Sequence, residues 1–529
     1  MYRTAEQRLS RLMNHGDGEL LKDSQIGLEK ESLRVSPEGK LAQTPHPRAL
    51  GSPLTHPYIT TDYSEALTEL VTPPLSSIPA ALDFLRQTQE FVYGVLDAEP
   101  DHELLWATSM PCVVAGETSI PIAQYGNSNL GIMKTVYRRG LGHRYGRVMQ
   151  VIAGVHFNYS FPDSFWSLYQ ALEENSAPSQ DFISSSYFGL IRNLQRFGWL
   201  VPYLFGASPA VCKSFLGGKP TTLENFDEFT YYQPYATSLR MGDIGYQNNQ
   251  EAEIGIKANY DSLDAYVASL TQAIETPHER YRQLGVVVGG QYEQLNPNIL
   301  QIENEYYSTI RPKQITDAFE KPTHALKRRG VRYVELRSID VNAYDPLGIN
   351  EEQLRFLEAF LVFCLLCDSP LIDPQDRQDI DHNELAAAHR GRDPHLFLHR
   401  HGQRVTLRDW AMEIISAMQG VCELLDGGQS TRPYTASLSA QVEKVRQPDS
   451  TPSARMLAEM RTQGEGFFQF AMRMSQQHQQ YFRQRAPTDA PTVDFALLAQ
   501  QSWQRHFAQE EAEREPFTEY LQRYLAQTL

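Results

Sequence analysis

Cysteine is scarce in this 529-residue chain: there are five, widely spaced. So sparse and odd a set suits free thiols in a reducing compartment rather than a disulfide framework. Cys364 and Cys367 form a CxxC, but they sit inside FLEAFLVFCLLC, an apolar stretch at helical spacing. Buried core thiols are the stronger reading there than a redox or metal pair. Basic charge is in deficit too. Lys and Arg number 48 against 64 Asp and Glu, a net charge of −16. That balance argues against nucleic-acid binding, which needs basic surface to displace counterions. It leaves room for an anionic substrate, because a local pocket of arginine and Mg²⁺ can oppose the overall field. The longest apolar run, Ala359 to Cys367, falls far short of the roughly 18 residues that suggest a membrane span. The opening MYRTAEQRLSRLM leads into no apolar stretch of the secretory kind. We therefore expect a cytoplasmic monomer that acts on small molecules, without membrane or nucleic acid.

Several motifs are missing as well. No GxxxxGK[ST] occurs, so a nucleotide would not be held by a Walker loop. There is no GxSxG elbow, no HExxH zinc helix and no repeat at a period of roughly 20 to 50 residues. The glycines of FLGGKP and VVVGGQ read as turns.

What is present is an ordinary globular composition, 41% hydrophobic, and enough chain for a large core or two fused ones. Residues 1–350 carry β-branched and aromatic runs broken by Gly, Pro and Asn. Residues 351–529 read mainly as amphipathic helices: EEQLRFLEAFLVFCLLC, LRDWAMEIISAMQGVCELLDG, SARMLAEMRTQGEGFFQFAMRM and PFTEYLQRYLAQTL. We expect this helical part to pack on the first and not to stand alone.

Four segments of the first part read as strands with one polar face. In VMQVIAGVHFNYSF, Met149, Val151, Val155, Phe157 and Tyr159 are apolar, while Gln150, His156 and Asn158 share the other side. In NILQIENEYYSTIRP, Ile299, Gln301, Glu303, Glu305 and Tyr307 share a face. In VRYVELRSID, Tyr333, Glu335 and Arg337 oppose Val334 and Leu336; in IGLEKESLRV, Gly27, Glu29 and Glu31 alternate with Leu28 and Lys30. These patterns belong to antiparallel sheet with one face set aside for charge. ITTDYSEALTELVTPP fits either a helix, through Asp62, Glu65 and Glu69, or a turn at Asp62 followed by a short strand, which we prefer. Both put Asp62 and Glu69 on one side.

Carboxylates spaced two apart on a strand, such as Glu29 and Glu31, converge and repel unless a cation lies between them. Oxygen-rich clusters of this kind suit Mg²⁺, which keeps positions for phosphate oxygens. For one strand alone, a solvated acidic face is the better account; several acidic faces together favour a site. His156 stands evenly between core residue and ligand. Arg337, two after Glu335, is equally a cross-strand salt bridge or the fixed cation that phosphoryl transfer needs.

At these strands the chain resembles glutamate–cysteine ligase of the proteobacterial type. The resemblance is carried by GLEKESLRV (27–35), LTHPYITTDYSEALTELVTP (54–73), SMPC (109–112), AQYGNSN (123–129), VYRRGLGHRYGRVMQVIAGVHFNYSF (136–161), IRNLQRFGWLVPYLFGASPAVC (191–212), PYATSLRMGDIGY (234–246), LQIENEYYSTIRPK (300–313) and YVELRSIDVNAYDPLGI (333–349). It implies an α+β fold: a curved antiparallel sheet funnel of glutamine-synthetase-like type, with surrounding helices and a helical C-terminal part. It implies ATP-dependent joining of L-glutamate to L-cysteine through γ-glutamyl phosphate, with Mg²⁺ or Mn²⁺ held by Glu29, Glu31, Asp62, Glu69, His156 and Glu335. Arg337 becomes the cation on the transferred phosphoryl group, Arg240 a contact to glutamate or phosphate, and Lys313 a nucleotide contact. Tyr63, Tyr137, Leu141, Gln150, Tyr246 and Tyr307 become the cysteine pocket. The chain departs from the family at Tyr63, where Phe is common, and at Ile132 and Met133, where Arg-Phe is common. Lys30 and Ser32 stand for Arg and Thr, off the carboxylate face. A sister ligase using another amine is the alternative enzyme; a silent nucleotide sensor would have lost acidic ligands that are all present here.

Overall fold

The computed structural model describes residues 2–14, 21–112, 114–245, 257–485 and 493–528. Its centre is an open antiparallel sheet of seven strands. Numbered in chain order, they are β1 (Gln25–Val35), β2 (Ile59–Thr61), β3 (Leu67–Val71), β4 (Leu104–Leu105), β5 (Val155–Ser160), β6 (Ile310–Lys313) and β7 (Tyr333–Ile339). Across the sheet the order is β6-β7-β5-β1-β3-β2, with β4 pairing the far end of β1. β1, the longest strand, lies inside the sheet, where both its edges are hydrogen-bonded.

Register decides which side chains meet. Glu29 stands opposite His156 on β5, and Glu31 opposite Glu69 on β3. Glu335 on β7 faces Asn158 on β5. The β7–β5 register then slips between Leu336 and Ile339, around Arg337. Such an irregularity bends a strand and re-aims its side chains.

The other face of the sheet is covered by helices. The 78–98 helix packs on β1 and β3, and the 200–205 helix on β7. Glu351–Leu366 is opened by an Asn350–Gln353 capping box and buried on nearly every side, packed against the 78–98, 179–197 and 433–446 helices. That explains the longest apolar run and keeps Cys364 and Cys367 as buried thiols, Cys367 pushed up to about 12 by burial. Lys30 faces this side, away from the carboxylates; burial lowers it to about 7 although Asp345 lies near. Among the described residues no helix is long and apolar enough to cross a membrane.

Helices from the second part of the sequence touch the first. Ser475 of the 467–484 helix accepts the Ala107 N–H at 2.9 Å, beside β4. The 517–525 helix packs on the 129–145 helix. Two expected helices are each broken in two, one at Met418 and one at Gly464, whose φ of +67° ends the 452–463 helix in the left-handed region.

The structure corrects four expectations. The β5 segment is a strand only from Val155; Met149–Val151 is a single 3₁₀ turn. The acidic stretch before β6 is likewise a turn at Glu303–Glu305, because its carboxylates bond inward: Glu305 to Arg144 and to the Gln301 N–H, Glu303 to Thr323. Cys112 and Cys212 are joined as a disulfide, not free, since the folded chain brings their Cα atoms to 5.5 Å. The first part also contains three long helices, 78–98, 129–145 and 179–197, that composition did not separate from strand.

Burial holds three imidazoles neutral: His46 is lowered to about 3, with Arg34 adding to the effect, and His56 and His478 to about 4, with Arg505 and Lys30 adding respectively. The unfolded chain binds these protons near the ordinary 6.5 while the folded chain does not. Stability is therefore whole above that value and falls as pH drops toward 4, by about 1.4 kcal/mol per pH unit for each histidine. Urea unfolding between pH 7 and 5 should show that decline, and His56→Asn should make it shallower by about one histidine's share; an unchanged slope would contradict the assignment.

Candidate active site

The polar face of the sheet lines a cavity of about 450 Å³. β1 contributes Glu29 and Glu31, β3 Glu69, β5 His156, β6 Arg311 and Lys313, and β7 Glu335 and Arg337. Asp62 and Tyr63 enter from the turn between β2 and β3, as the turn-and-strand alternative requires. Glu65, which the helical alternative would have aligned with them, turns away to accept the His46 and Gln124 N–H groups, both at 2.8 Å.

His156 stands among the carboxylates. Its Nδ1 is 2.8 Å from Glu29 and 3.5 Å from Glu335, and its Nε2 is 3.7 Å from Glu31. Asn158 donates to the other Glu29 oxygen at 2.9 Å, and the Gly154 N–H to Glu31 at 2.7 Å. On β7, Arg337 donates to Glu335 at 2.6 Å, and Lys313 reaches its second oxygen at 3.2 Å.

Charge is divided unevenly over this face. Burial raises Glu335, but Lys313, Arg337 and His156 outweigh it and hold the carboxyl well below its usual range. Burial and Glu335 raise Glu29, which His156 and Lys313 nonetheless keep low. Burial raises Glu31. Glu69 stands well above the ordinary range, from burial and then from the charges of Glu29, Asp62 and Glu31. The β1–β3 side thus holds carboxyls that burial, and then one another's charges, push toward the neutral form. Two triads, Glu29–His156–Glu335 and Glu31–Glu69–His156, each bring donor atoms within 4.8 Å of one another. A mostly carboxylate donor set with one imidazole fits a divalent cation of the Mg²⁺ or Mn²⁺ kind.

The 129–145 helix, entered through its Ser128 N-cap, forms the opposite wall with Met133, Lys134, Tyr137, Arg138 and Leu141. Gln150 lines the cavity from its 3₁₀ turn. Arg138 donates to the Asp62 carbonyl and lies 4.6 Å over the Tyr125 ring. Lys134 is lowered to about 8 by burial and then by Arg138. Tyr63 is buried; a Cβ on Gly142 would meet its hydroxyl at 2.5 Å. Arg240 and Tyr307 are not among the cavity-lining residues. Arg240 donates to the Arg337 carbonyl at 2.8 Å, and the Tyr307 hydroxyl is 3.6 Å from the Met241 sulfur. Tyr246 lies outside the described residues.

Sequence reasoning missed one end of the cavity. Phe319, Tyr520 and Tyr524 close it, with ring centroids 5.0 and 5.4 Å from Phe319. Lys321 fastens the last helix by donating to the Leu525 and Gln527 carbonyls, each at 2.9 Å, and the Arg523 guanidinium lies 4.0 Å over Phe319. The i, i+4 spacing of the two tyrosines marked an amphipathic helix face, but not the body it would cover. Lys134 and Arg138, also i, i+4, had no such stripe to reveal them, because the 129–145 helix is walled by protein on several sides.

The family model for glutamate–cysteine ligase matches residues 9–386. A glutamate–cysteine ligase of Alcanivorax borkumensis is 48% identical over 525 residues, covering 98% of this chain and 99% of its own length. One from Pseudomonas putida is 48% identical over 483 residues, covering 91% of each chain. Among solved structures, the Francisella tularensis glutamate–cysteine ligase in complex with AMP superposes with a TM-score of 0.87 at 37% identity, over 95% of this chain and 97% of that one.

The upward shift at Glu69 gives an expected outcome. In cation-free buffer near neutral pH, Glu69→Gln should be as stable as the parent or more stable by about 1 kcal/mol, since it removes a carboxyl whose charged form burial and its acidic neighbours disfavour. Marked destabilisation in a chemical unfolding curve would mean that Glu69 is already balanced by a cation within the fold.

Proposed function

Because the chain belongs to the glutamate–cysteine ligase family, we propose that this cavity is where it condenses L-glutamate with L-cysteine at the expense of ATP. The product is γ-glutamylcysteine, the first intermediate of glutathione biosynthesis. The observation that carries the reading is the acidic cluster on β1, β3, β5 and β7 with Arg337 and Lys313 at its border. The γ-carboxylate of glutamate attacks the γ-phosphorus of ATP, giving γ-glutamyl phosphate and ADP. The cysteine α-amine then attacks the activated carbonyl, and phosphate leaves.

Each residue has a part in this scheme. Glu29, Glu31, Asp62, Glu69, His156 and Glu335 would hold Mg²⁺ or Mn²⁺; such ions, when bound, neutralise and orient the triphosphate. Arg337, fixed on Glu335 at 2.6 Å, meets charge developing on the transferred phosphoryl group without first having to be organised. Lys313 offers a second cation to the nucleotide. Tyr63, Tyr137, Leu141 and Gln150 supply a small pocket with aromatic edges for cysteine, joined by Tyr246 and Tyr307 in our reading. We place the enzyme in the cytosol, where the Cys112–Cys212 bond would be open to reduction.

The test is formation of γ-glutamylcysteine dependent on ATP, Mg²⁺, glutamate and cysteine. Glu29→Gln and Arg337→Ala should remain folded and lose roughly 10²–10³ in rate, or about 3–4 kcal/mol of transition-state stabilisation. Normal turnover in either variant removes that residue from the site. Small apolar pockets reject near-isosteres weakly, so 2-aminobutyrate should replace cysteine as acceptor; its strict refusal would show the pocket to be misassigned.

A further inference from the structure

Arg240 raises a structural question that its absence from the cavity wall sharpens. It sits in the 3₁₀ turn Leu239–Met241 and is only 3% exposed. Its guanidinium touches the backbone of two functional segments at once. Nη2 donates to the Arg337 carbonyl at 2.8 Å. The same group lies against Gly154, where an added Cβ would stand 2.2 Å from it. Gly154 is the residue whose N–H holds Glu31 at 2.7 Å. A shift of Arg240 would therefore be felt at both the phosphoryl-facing cation and one of the carboxylates.

Arg240 Nη1 donates to the Met241 sulfur at 3.3 Å, and beside it lies Asp340, just after β7 and only 1% exposed. One oxygen of Asp340 accepts the Ala207 N–H at 2.8 Å and the Ser208 hydroxyl. The other accepts the Ser238 hydroxyl at 2.8 Å and lies 3.7 Å from Arg240 Nη1. Ser238 in turn accepts the Met241 N–H at 3.2 Å, capping the very turn that carries Arg240. The Leu239 N–H bonds to the Ser208 carbonyl at 2.7 Å, so the 207–208 and 238–241 segments are tied together around this one carboxylate. A buried charge is costly unless it is paired and fully hydrogen-bonded, and Arg240 is the cation placed to pair with it.

We infer that Asp340 is a positioning residue of the ligase reaction: it sets Arg240, and through Arg240 the backbone at Arg337 and the Gly154–Glu31 hydrogen bond. Asp340 itself touches neither cavity nor substrate. The inference rests on the function proposed above, and the two are separable, because a parent enzyme that makes no γ-glutamylcysteine defeats that function whatever Asp340 does.

The experiment is a double-mutant cycle on Asp340→Asn and Arg240→Lys, with kcat and the KM values for ATP, glutamate and cysteine measured on folded protein. A misplacement of about 1 Å costs on the order of 10²-fold in rate. Asp340→Asn should accordingly lower kcat by roughly 10- to 100-fold while the KM for ATP moves no more than about twofold. The double variant should be no slower than Arg240→Lys alone to within about twofold, because both changes disable one unit. Gly154→Ala presses on the same guanidinium from the other side; it should lower kcat in the same way and serves as the test if Asp340→Asn does not fold. Parental kcat in Asp340→Asn, or in Gly154→Ala where that variant stands in, overturns the inference; so do losses that multiply in the double variant.

Discussion

Everything in this molecule turns on like charge held at close quarters. Glu29, Glu31, Asp62, Glu69 and Glu335 line one cavity, with His156 within 4 Å of three of them. Such a gathering is unfavourable by itself. It persists because the backbone register leaves those side chains nowhere else to go, and because the covered face of the sheet holds the strands in place. The unevenness is informative: on β7 cations hold Glu335 low, while on β3 burial and then the neighbouring carboxylates push Glu69 up. That imbalance is a demand for added positive charge, and a metal-bearing nucleotide can meet it.

The surrounding helices wall this charged sheet into a cavity. The 129–145 helix brings apolar and basic residues to the wall facing the carboxylates, so one cavity has an anionic floor and a mixed, partly aromatic side. The last helix adds Tyr520 and Tyr524 to the lining and is fastened by Lys321. Residues from the far end of the chain thus line the same cavity as the strands. The Asp340–Arg240 pair links strands and turns that share no sequence neighbourhood.

The period-two pattern of IGLEKESLRV and VRYVELRSID was enough to predict their strands and the side on which Glu29, Glu31, Glu335 and Arg337 lie. A run of alternating residues has only two faces, and burial of one dictates the other. The same reasoning overran at Glu303–Glu305, where alternation was present but the carboxylates found closer partners in Arg144 and Thr323. Local pattern cannot foresee a competing partner that only the fold brings near, 161 residues away for Arg144 and 20 for Thr323. The free-thiol expectation failed for the same reason at Cys112 and Cys212, which are 100 residues apart.

The sequence by itself therefore determined the chemistry available: acidic residues in strand alternation, an arginine beside them, a buried apolar helix at Glu351–Leu366, and motifs that mark the family. Tertiary structure alone decided how that chemistry is assembled. Antiparallel register placed His156 opposite Glu29 and Glu69 opposite Glu31; helix packing brought Tyr520 and Tyr524 to the cavity. Periodicity is a property of a few neighbouring residues, whereas register and docking are fixed by contacts between segments far apart in the chain.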